Sequence, residues 1–252
     1  MTSINSIVDY LEQILEPGKF RDYCPNGLQV EGKSSIKKIV TGVTACQEFI
    51  DKAIAAKADA VLVHHGFFWK GEPSIVTGVK RQRLKALLGH DLNLLAYHLP
   101  LDAHPRYGNN VKLAEVLALT NHGPVSENGM ASLVFKGNLA KPLSGAEFAN
   151  HIEQCLNRKP LHIAGQHKIV QTVAWCTGAA QDAIVDAIDA GVDAFITGEV
   201  SERTFHMAKE SGIHFYSAGH HATERYGIQA LGEHLAEYFP VQHQFIDVEN
   251  PV

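Results

Sequence analysis

The sequence predicts an α/β protein made of two internally duplicated lobes, with largely parallel buried strands and a metal site between the lobes at the carboxyl ends of those strands. Three observations lead to this prediction. Residues 38–65 have the pattern of a parallel β-α-β unit, in which a strand, a helix and a continuous apolar strand follow one another. The helix and second strand of this unit recur later in the chain. Histidines and carboxylates follow the strands of both copies, where open parallel sheets bind their ligands.

The duplication can be aligned without a gap. Residues 47–60 match residues 181–194, with the glutamine, both isoleucines, three alanines and the aspartate identical, and the apolar positions stay in phase. Internal similarity of this kind indicates two copies of one structural unit. We therefore expect a first α/β lobe at residues 1–122 and a second α/β lobe at residues 123–252.

The second lobe contains an insertion relative to the first, at residues 123–170. Within it, Met130 to Gly137 has the pattern of a strand. Ser144 and Glu147 have the spacing of a capping box and predict that a helix begins there and continues to Leu156. The insertion should therefore add one strand and one helix to the repeated unit.

Composition excludes several classes of protein. The formal net charge is -5 over 252 residues, which argues against a nucleic-acid-binding protein because such proteins carry a basic surface. No apolar run approaches the roughly 20 residues of a membrane-spanning helix. The four cysteines are scattered, with no Cys-x-x-Cys pair, so neither a disulfide framework nor a thiolate zinc site is indicated. We expect a cytoplasmic protein without membrane or nucleic-acid partners.

His64 and His65 directly follow the second strand of the first repeat, at residues 59–63. Both can serve one metal site if the strand has ended, because adjacent strand residues face opposite sides of the sheet. Gly66 permits the sharp turn that such an ending needs. The alternative is a strand end with one satisfied core histidine and one exposed histidine.

A histidine and a carboxylate four residues apart follow the next strand of each repeat. The first half has His98 and Asp102, and the second half has His220 and Glu224. Pro100 predicts that the segment from His98 to Asp102 is a loop, whereas His220 opens a helical pattern. Imidazole nitrogen beside carboxylate oxygen suits borderline divalent ions. Alternatively, Glu224 stabilises the positive N-terminal end of its helix.

Six motifs together resemble the GTP cyclohydrolase 1 type 2 family, whose members are also called NIF-three-like proteins. The resemblance covers essentially the whole chain and is strongest to short bacterial members. The motifs are Pro-Asn-Gly-Leu-Gln-Val-Glu-Gly at 25–32, Val-His-His-Gly-Phe-Phe-Trp-Lys-Gly at 63–71, His-Leu-Pro-Leu-Asp at 98–102, Gly-Asn-Asn at 108–110, Ile-Thr-Gly-Glu-Val at 196–200 and Gly-His-His-Ala-Thr-Glu-Arg at 219–225.

The resemblance implies a two-lobed subunit, a toroidal homohexamer and a centre of two divalent metal ions per subunit, with Zn, Mn, Fe or Mg all admissible. It implies five ligands, with Glu224 bridging the two ions: His64, His65, Asp102, His220 and Glu224. His98 and Glu199 are the catalytic candidates outside this set. His98 would act as a general base or hold a ligand in place, and Glu199 would hydrogen-bond a ligand or move a proton. Each could instead be a hydrogen-bonded polar residue without a catalytic role.

Three functions are consistent with these residues. The first is a metal-dependent hydrolase or cyclohydrolase acting on a small nucleotide-like substrate. The chain has no phosphate-binding glycine motif, so phosphate would be held by the metals, Lys70 or the basic helix near Arg83. The aromatic run from Phe67 to Trp69 could stack a base, although core or interface packing is the more common role of such residues. The second is a non-catalytic metal-handling or partner-binding ring, and the third is a metallophosphatase or nuclease.

Overall fold

A computed structural model describes residues 2–126 and 133–252. The chain divides into two compact units, of which unit 1 comprises Met1–Tyr107 and Gly227–Glu249, and unit 2 comprises Gly108–Tyr226 and Asn250–Val252. This division reflects how the chain packs, whereas the boundary expected between residues 122 and 123 follows from the internal repeat in the sequence. The boundary between the two repeats at residues 122 and 123 stays a prediction.

Unit 1 contains a mixed five-stranded sheet, whose strands in spatial order are β13 (Gln242–Phe245), β4 (Lys38–Thr44), β5 (Ala60–His65), β6 (Asn93–Ala96) and β2 (Gly27–Val30). The pairs β13-β4, β4-β5 and β5-β6 are parallel, and β2 pairs antiparallel with β6. A short antiparallel pair, β1 and β3, lies outside this sheet. Numbered in chain order over the whole protein, the elements of this unit are β1 (Thr2–Ser3), α1 (Ile4–Leu15), β2 (Gly27–Val30), β3 (Ser35–Ile36), β4 (Lys38–Thr44), α2 (Gln47–Ala55), β5 (Ala60–His65), α3 (Gly78–Gly89), β6 (Asn93–Ala96), α4 (Leu99–Ala103) and β13 (Gln242–Phe245), with a 3₁₀ turn at Pro17–Lys19.

The two faces of this sheet bury separate apolar clusters, because successive strand residues point to opposite sides. One cluster joins Leu62 of β5 to α1 and to the part of the last helix that belongs to unit 1. The other joins Val61 and Val63 to Phe49 of α2 and Leu87 of α3. Helices therefore cover both faces, as parallel strands require.

Unit 2 contains a six-stranded sheet, whose strands in spatial order are β7 (Leu119–Pro124), β8 (Phe135–Leu143), β10 (Val170–Trp175), β11 (Ala194–Thr197), β12 (His214–Ser217) and β9 (Leu161–Ile163). Its central strands β10, β11 and β12 are parallel, and the outer pairs are antiparallel. Its elements are α5 (Asn109–Val116), β7 (Leu119–Pro124), β8 (Phe135–Leu143), α6 (Gly145–Leu156), β9 (Leu161–Ile163), β10 (Val170–Trp175), a 3₁₀ turn (Gln181–Ala183), α7 (Ile184–Asp189), β11 (Ala194–Thr197), α8 (Glu202–Ser211), β12 (His214–Ser217) and α9 (His220–Tyr238). Helix α9 begins in unit 2 and continues into unit 1 at Gly227.

The duplicated α/β architecture predicted from sequence is confirmed. In both copies an aspartate that precedes the repeated strand binds the start of the strand beside it. Asp59 accepts hydrogen bonds from the backbone N–H groups of Lys37 and Lys38. Asp193, its partner in the alignment, accepts from the N–H groups of Gln171 and Thr172. The identity of this residue in the two repeats therefore reflects one structural task performed twice.

Local predictions met mixed outcomes. The capping box is confirmed, because Ser144 accepts from the N–H of Glu147 and Glu147 accepts from that of Ser144. The strand expected at Met130 to Gly137 lies partly outside the described residues, and the described strand runs from Phe135 to Leu143. The loop expected around Pro100 was wrong, because residues Leu99–Ala103 form a short helix. Proline is tolerated there because N–H groups in the first turn lack intrahelical acceptors.

Among the described residues, no helix has both the length and the apolar character that crossing a membrane requires.

Candidate metal centre

The end of strand β5 in unit 1 places His64 in the protein interior beside a carboxylate. His64 is fully buried, and its Nδ1–H donates to the carbonyl oxygen of Tyr97 over 3.0 Å. Because a carbonyl can only accept, this bond leaves Nε2 as the lone-pair nitrogen of the neutral ring. Nε2 lies 3.4 Å from Oδ1 of Asp102, which is itself 5% exposed. A nitrogen and an oxygen atom that can each bind a metal ion thus meet in a buried location.

His65 lies beside His64 and belongs to the same group of potential metal-binding residues. The strand continues through His65, so the expectation that it would end earlier was wrong. The rings of His64 and His65 nevertheless lie 4.5 Å apart with an interplanar angle of 40°. Together with His98 they offer three nitrogen atoms that all lie within 4.8 Å of one another. These distances are therefore compatible with both imidazoles serving one site, although both residues lie within the strand.

His98 is held by a carboxylate that the sequence patterns did not identify. Its Nδ1 lies 2.8 Å from Oδ1 of Asp22, a residue 76 positions away in the chain. Asp22 also accepts from the N–H of Leu99 and from the side chain of Asn26. Burial opposes ionisation of Asp22, but the hydrogen bonds from His98 and Asn26 lower the pKa of its carboxyl far below the usual value. Asp22 is thus an anion that orients the imidazole of His98.

This pairing changes the meaning of the spacing between His98 and Asp102. In the sequence the two form one motif, but in the structure Asp102 faces His64 and His98 faces Asp22. The signal that could have drawn attention to Asp22 is its place three residues before the Pro-Asn-Gly turn. The turn carries Asn26, whose Oδ1 accepts from the backbone N–H of His98 over 2.8 Å.

Cys24 lies beside Asp22 and His98, and the three could in principle hold an ion. Burial and the negative charge of Asp22 raise the pKa of the Cys24 thiol to about 12. The thiolate is the form of cysteine that binds metals. We therefore interpret this second group as a hydrogen-bonded support for His98.

The aromatic run after His65 divides between the core and the site. Phe67 is 4% exposed and belongs to the core cluster of α2 and α3. Trp69 stands edge-on to His98 with ring centroids 5.3 Å apart, and 5.8 Å from the ring of His65. Lys70 is exposed. Trp69 therefore forms an apolar wall beside the histidines.

In unit 2 the N-terminal end of α9 presents a second histidine–carboxylate pair. Nε2 of His220 lies 3.1 Å from Oε2 of Glu224, whose side chain is 3% exposed. The spacing of four residues brings both onto one face of the helix, as expected from the sequence. Glu224 lies beyond the first turn, which holds no acidic residue. Stabilisation of the helix end therefore gives a poor account of a buried glutamate at this position.

Glu199, which follows strand β11, contacts the other nitrogen of His220. Its Oε1 accepts a hydrogen bond from Nδ1 over 2.6 Å. Burial alone would lower the pKa of His220, but the hydrogen bonds and charges of Glu224 and Glu199 raise it to about 9. The surroundings of this imidazole therefore favour positive charge, which a bound cation would also supply.

A glycine loop completes the space around these two side chains. The backbone N–H of Gly178 donates to Oγ1 of Thr223, which holds the loop against α9. A Cβ atom on Gly178 would overlap Oε1 of Glu224 and lie 3.2 Å from Nε2 of His220. The φ angle of Gly178 is 72°, which also favours glycine. The space that a side chain would fill is thus kept open next to two donor atoms.

The family of the chain follows from comparison with known proteins. A model of the family described as Duf34/NIF3 (NGG1p interacting factor 3) matches residues 2–251. The chain belongs to the DUF34/NIF3 family. This finding confirms the resemblance carried by the six motifs.

Relatives of this DUF34/NIF3 chain match it end to end. Proteins named "GTP cyclohydrolase 1 type 2 homolog" are 53% identical over 250 residues in Pseudomonas aeruginosa, covering 99% of this chain and 98% of that protein, and 54% identical over 246 residues in Escherichia coli K12, covering 96% and 98%. A solved structure of ybgI, described as of unknown function, is 51% identical with a TM-score of 0.95 and full coverage of both chains. A solved structure from Thermus thermophilus is 33% identical with a TM-score of 0.89 and covers 100% of both chains.

The donor atoms of this DUF34/NIF3 chain fit divalent metal ions. Each unit presents an imidazole Nε2 beside a buried carboxylate, and in each the opposite Nδ1 is engaged by a fixed oxygen. Metal-binding histidines in proteins are oriented in this way by a carbonyl or a carboxylate. Mixed nitrogen and oxygen donors admit Zn, Mn or Fe, and more oxygen-rich positions admit Mg.

Proposed function

We propose that this chain binds two divalent metal ions per subunit through five residues, His64, His65, Asp102, His220 and Glu224, with Glu224 bridging the ions. The observation that carries the proposal is the shared design of the two pairs, His64 with Asp102 and His220 with Glu224. Each pair has a histidine Nε2 directed at a buried carboxylate. Five protein ligands for two ions would leave coordination positions open, which is typical of catalytic rather than structural metal sites.

We further propose that the chain is a metal-dependent hydrolase or cyclohydrolase. Two bound ions would supply a nucleophilic hydroxide at neutral pH. His98, held by the Asp22 anion, would accept a proton at Nε2 because its Nδ1 faces the carboxylate. Glu199 would position His220 through the hydrogen bond to Nδ1. Trp69 and the buried location of Asp102 would limit the access of bulk water.

A small nucleotide-like molecule is the substrate class that we propose. The support is the name of the relatives, which refers to GTP cyclohydrolase 1 type 2. Two other functions make different demands. A metal-handling or partner-binding ring needs the metal ligands and no base, whereas a metallophosphatase or nuclease would release phosphate or cleave a phosphodiester. The hydrogen bond between Asp22 and His98 favours catalysis, because ion storage alone does not require an oriented base.

The catalytic proposal is tested by incubating the Mn²⁺-loaded protein with nucleotides, phosphomonoesters and oligonucleotides. Opening of a purine ring would support the cyclohydrolase, and release of inorganic phosphate or cleavage of DNA would identify the third function. His98→Gln should lower turnover by about 10²–10⁴-fold with metal content unchanged. Turnover of no substrate by a fully loaded protein would contradict catalysis and favour the metal-handling ring.

The metal proposal is tested by elemental analysis of Glu224→Gln. Loss of the bridging carboxylate removes charge between two cations, so we expect at most one ion per subunit where the wild type holds two. If Glu224 only stabilised its helix, the variant would lose about 0.3–1 kcal/mol of stability and keep both ions. His221→Ala is the matched control and should keep both ions. Two ions in a folded Glu224→Gln protein, or loss of ions in His221→Ala, would contradict the ligand set.

We also propose a toroidal homohexamer in the cytoplasm, as the family resemblance implies. Apolar residues of the aromatic run and of α3 give little independent support for assembly, because Phe67 and Leu87 are buried in the core and Leu88 alone of the three is exposed, at 59%. The proposal therefore depends on the resemblance. Sedimentation equilibrium at micromolar concentration that gives a monomer would contradict it. The four free cysteines are consistent with a reducing compartment.

A further inference from the structure

Unit 1 contains a cleft of about 290 Å³ between the segment after His65 and the first turns of α3. Its walls combine apolar and basic side chains. Phe67 forms the inner wall, Ile75 and Val79 form an apolar rim, and Lys80 and Arg83 supply positive charge. Ile75 is 67% exposed and Val79 is 60% exposed, so the rim presents apolar surface to solvent. None of these residues belongs to the proposed metal centre.

The two basic side chains lie over aromatic rings and have no acidic partner among the residues that the structure describes. The guanidinium of Arg83 stands 5.6 Å from the ring centroid of Phe67. Its Nε atom is buried and makes no hydrogen bond. The Lys80 ammonium stands 5.2 Å from the ring of Phe68 and donates to the carbonyl oxygen of Pro73. A buried charged donor without an acceptor is costly, and an anion in the cleft would satisfy it.

The N-terminal end of α3 adds to this positive potential. Thr77 precedes the helix and lines the cleft, but no side chain caps the helix, and its first turn holds no acidic residue. The exposed N–H groups of a 12-residue helix and its dipole favour an anion at that end. One carboxylate, that of the exposed Glu72, also lines the cleft.

We propose that this cleft binds a small anion that carries an apolar ring, such as an aryl phosphate or a nucleoside monophosphate. The phosphate would accept hydrogen bonds from Arg83, from Lys80 and from the first N–H groups of α3. The ring would lie on Ile75 and Val79. The site does not depend on bound metal, since its walls come from α3 and the segment that precedes it.

The test is isothermal titration calorimetry of the full-length protein with naphthyl phosphate, inorganic phosphate and naphthol. Naphthyl phosphate should bind more tightly than either of the others, because it alone combines the charge with the ring. Arg83→Gln should raise the Kd about tenfold, as expected for loss of a hydrogen bond to a charged group. Arg81→Gln, on the same helix but outside the cleft, should change the Kd less than about twofold, because it makes no contact with the ligand.

Two further variants keep the result decisive. Val79→Glu places a negative charge on an exposed rim position that folding does not need, so this variant should fold and should not bind naphthyl phosphate. It therefore tests the proposal even if Arg83→Gln misfolds. Glu224→Gln should leave the affinity for naphthyl phosphate unchanged. Affinity lost in Glu224→Gln but kept in Arg83→Gln would assign the phosphate to the metal centre and overturn the proposal. Equal affinity for naphthol, or no saturable binding of naphthyl phosphate, would overturn it as well.

Discussion

Oε1 of Glu199 and Nδ1 of His220 lie 2.6 Å apart, which makes Glu199 the residue that sets the orientation of the His220 ring. The opposite nitrogen, Nε2, is thereby directed at Glu224. Glu199 was expected from sequence to hydrogen-bond a ligand or to move a proton. Its hydrogen bond assigns it a positioning role toward a proposed metal ligand.

Glu199→Ala should weaken metal binding about 10–100-fold, because removal of the hydrogen-bond acceptor behind a metal-binding histidine has effects of that size. Glu199→Gln retains an acceptor oxygen and should recover part of the loss. The measurement is the Kd for Zn²⁺ by competition with a chelator. Glu202→Gln is the matched control, because Glu202 also accepts from a histidine, His206, but on the protein surface. Unchanged affinity in Glu199→Ala would contradict the positioning role.

Gly178→Ala should lower metal affinity without unfolding the protein. The new Cβ would overlap Glu224 Oε1 and displace a donor from the site. Gly191→Ala provides the control, because Gly191 has a similar φ of 65° but open space where its Cβ would lie. Both variants should lose about 1–2 kcal/mol of stability from the left-handed backbone conformation. Elemental analysis of the two variants measures the effect on metal binding, and thermal unfolding measures the effect on stability. Equal metal content in both variants would contradict a role for the open space that Gly178 leaves beside Glu224.

Asp193→Ala should lose about 1.5–3 kcal/mol of stability at pH 7, because its carboxylate accepts from Gln171 N–H, Thr172 N–H and the Thr172 hydroxyl. Burial opposes ionisation of Asp193, but these hydrogen bonds lower its pKa in the folded state. Its contribution is therefore complete above the unfolded value of about 3.9 and is lost as the pH falls through the lower folded pKa.

Urea unfolding of wild type and variant between pH 7 and pH 3 measures this difference. The stability gap should be constant down to about pH 4 and then shrink. Asp189→Asn, on the exposed side of α7, is the control and should change stability by less than about 0.5 kcal/mol. A gap that widens on acidification would show the sign of the linkage to be wrong.

The pairing of side chains across long stretches of chain was not accessible from sequence. Residues His98 and Asp102 have the spacing of one motif, yet His98 pairs with Asp22 and Asp102 pairs with His64. The spacing of two residues predicts that their side chains share a face only when the backbone is regular from the first residue to the second. The backbone at His98 has φ of -99° and ψ of -106°, so helical periodicity begins after that residue.

The Gly-Asn-Asn segment at 108–110 is a second place where the sequence pattern did not reveal the contacts of its residues. The sequence indicates a helix start near Asn109 and Asn110, two residues that often cap helices. Both lie within α5 and are fully buried. Asn110 accepts from the N–H of Thr177 through its side chain and from the indole of Trp175 through its carbonyl. Asn110 therefore supports the strand end of β10, and the residue at the cap position of α5 is Gly108.

The sequence by itself determined the class of fold, the duplication, and the strand ends at which donor residues occur, because apolar periodicity and internal similarity are local properties of the chain. The helix pair of His220 with Glu224 was also predictable, since both residues lie within one regular helix. Tertiary structure alone decided the partners of His64 and His98 and the contact of His220 with Glu199. Hydrogen bonds between residues distant in the chain depend on how the strands are ordered in their sheets, and residue patterns within a single strand or helix do not specify that order.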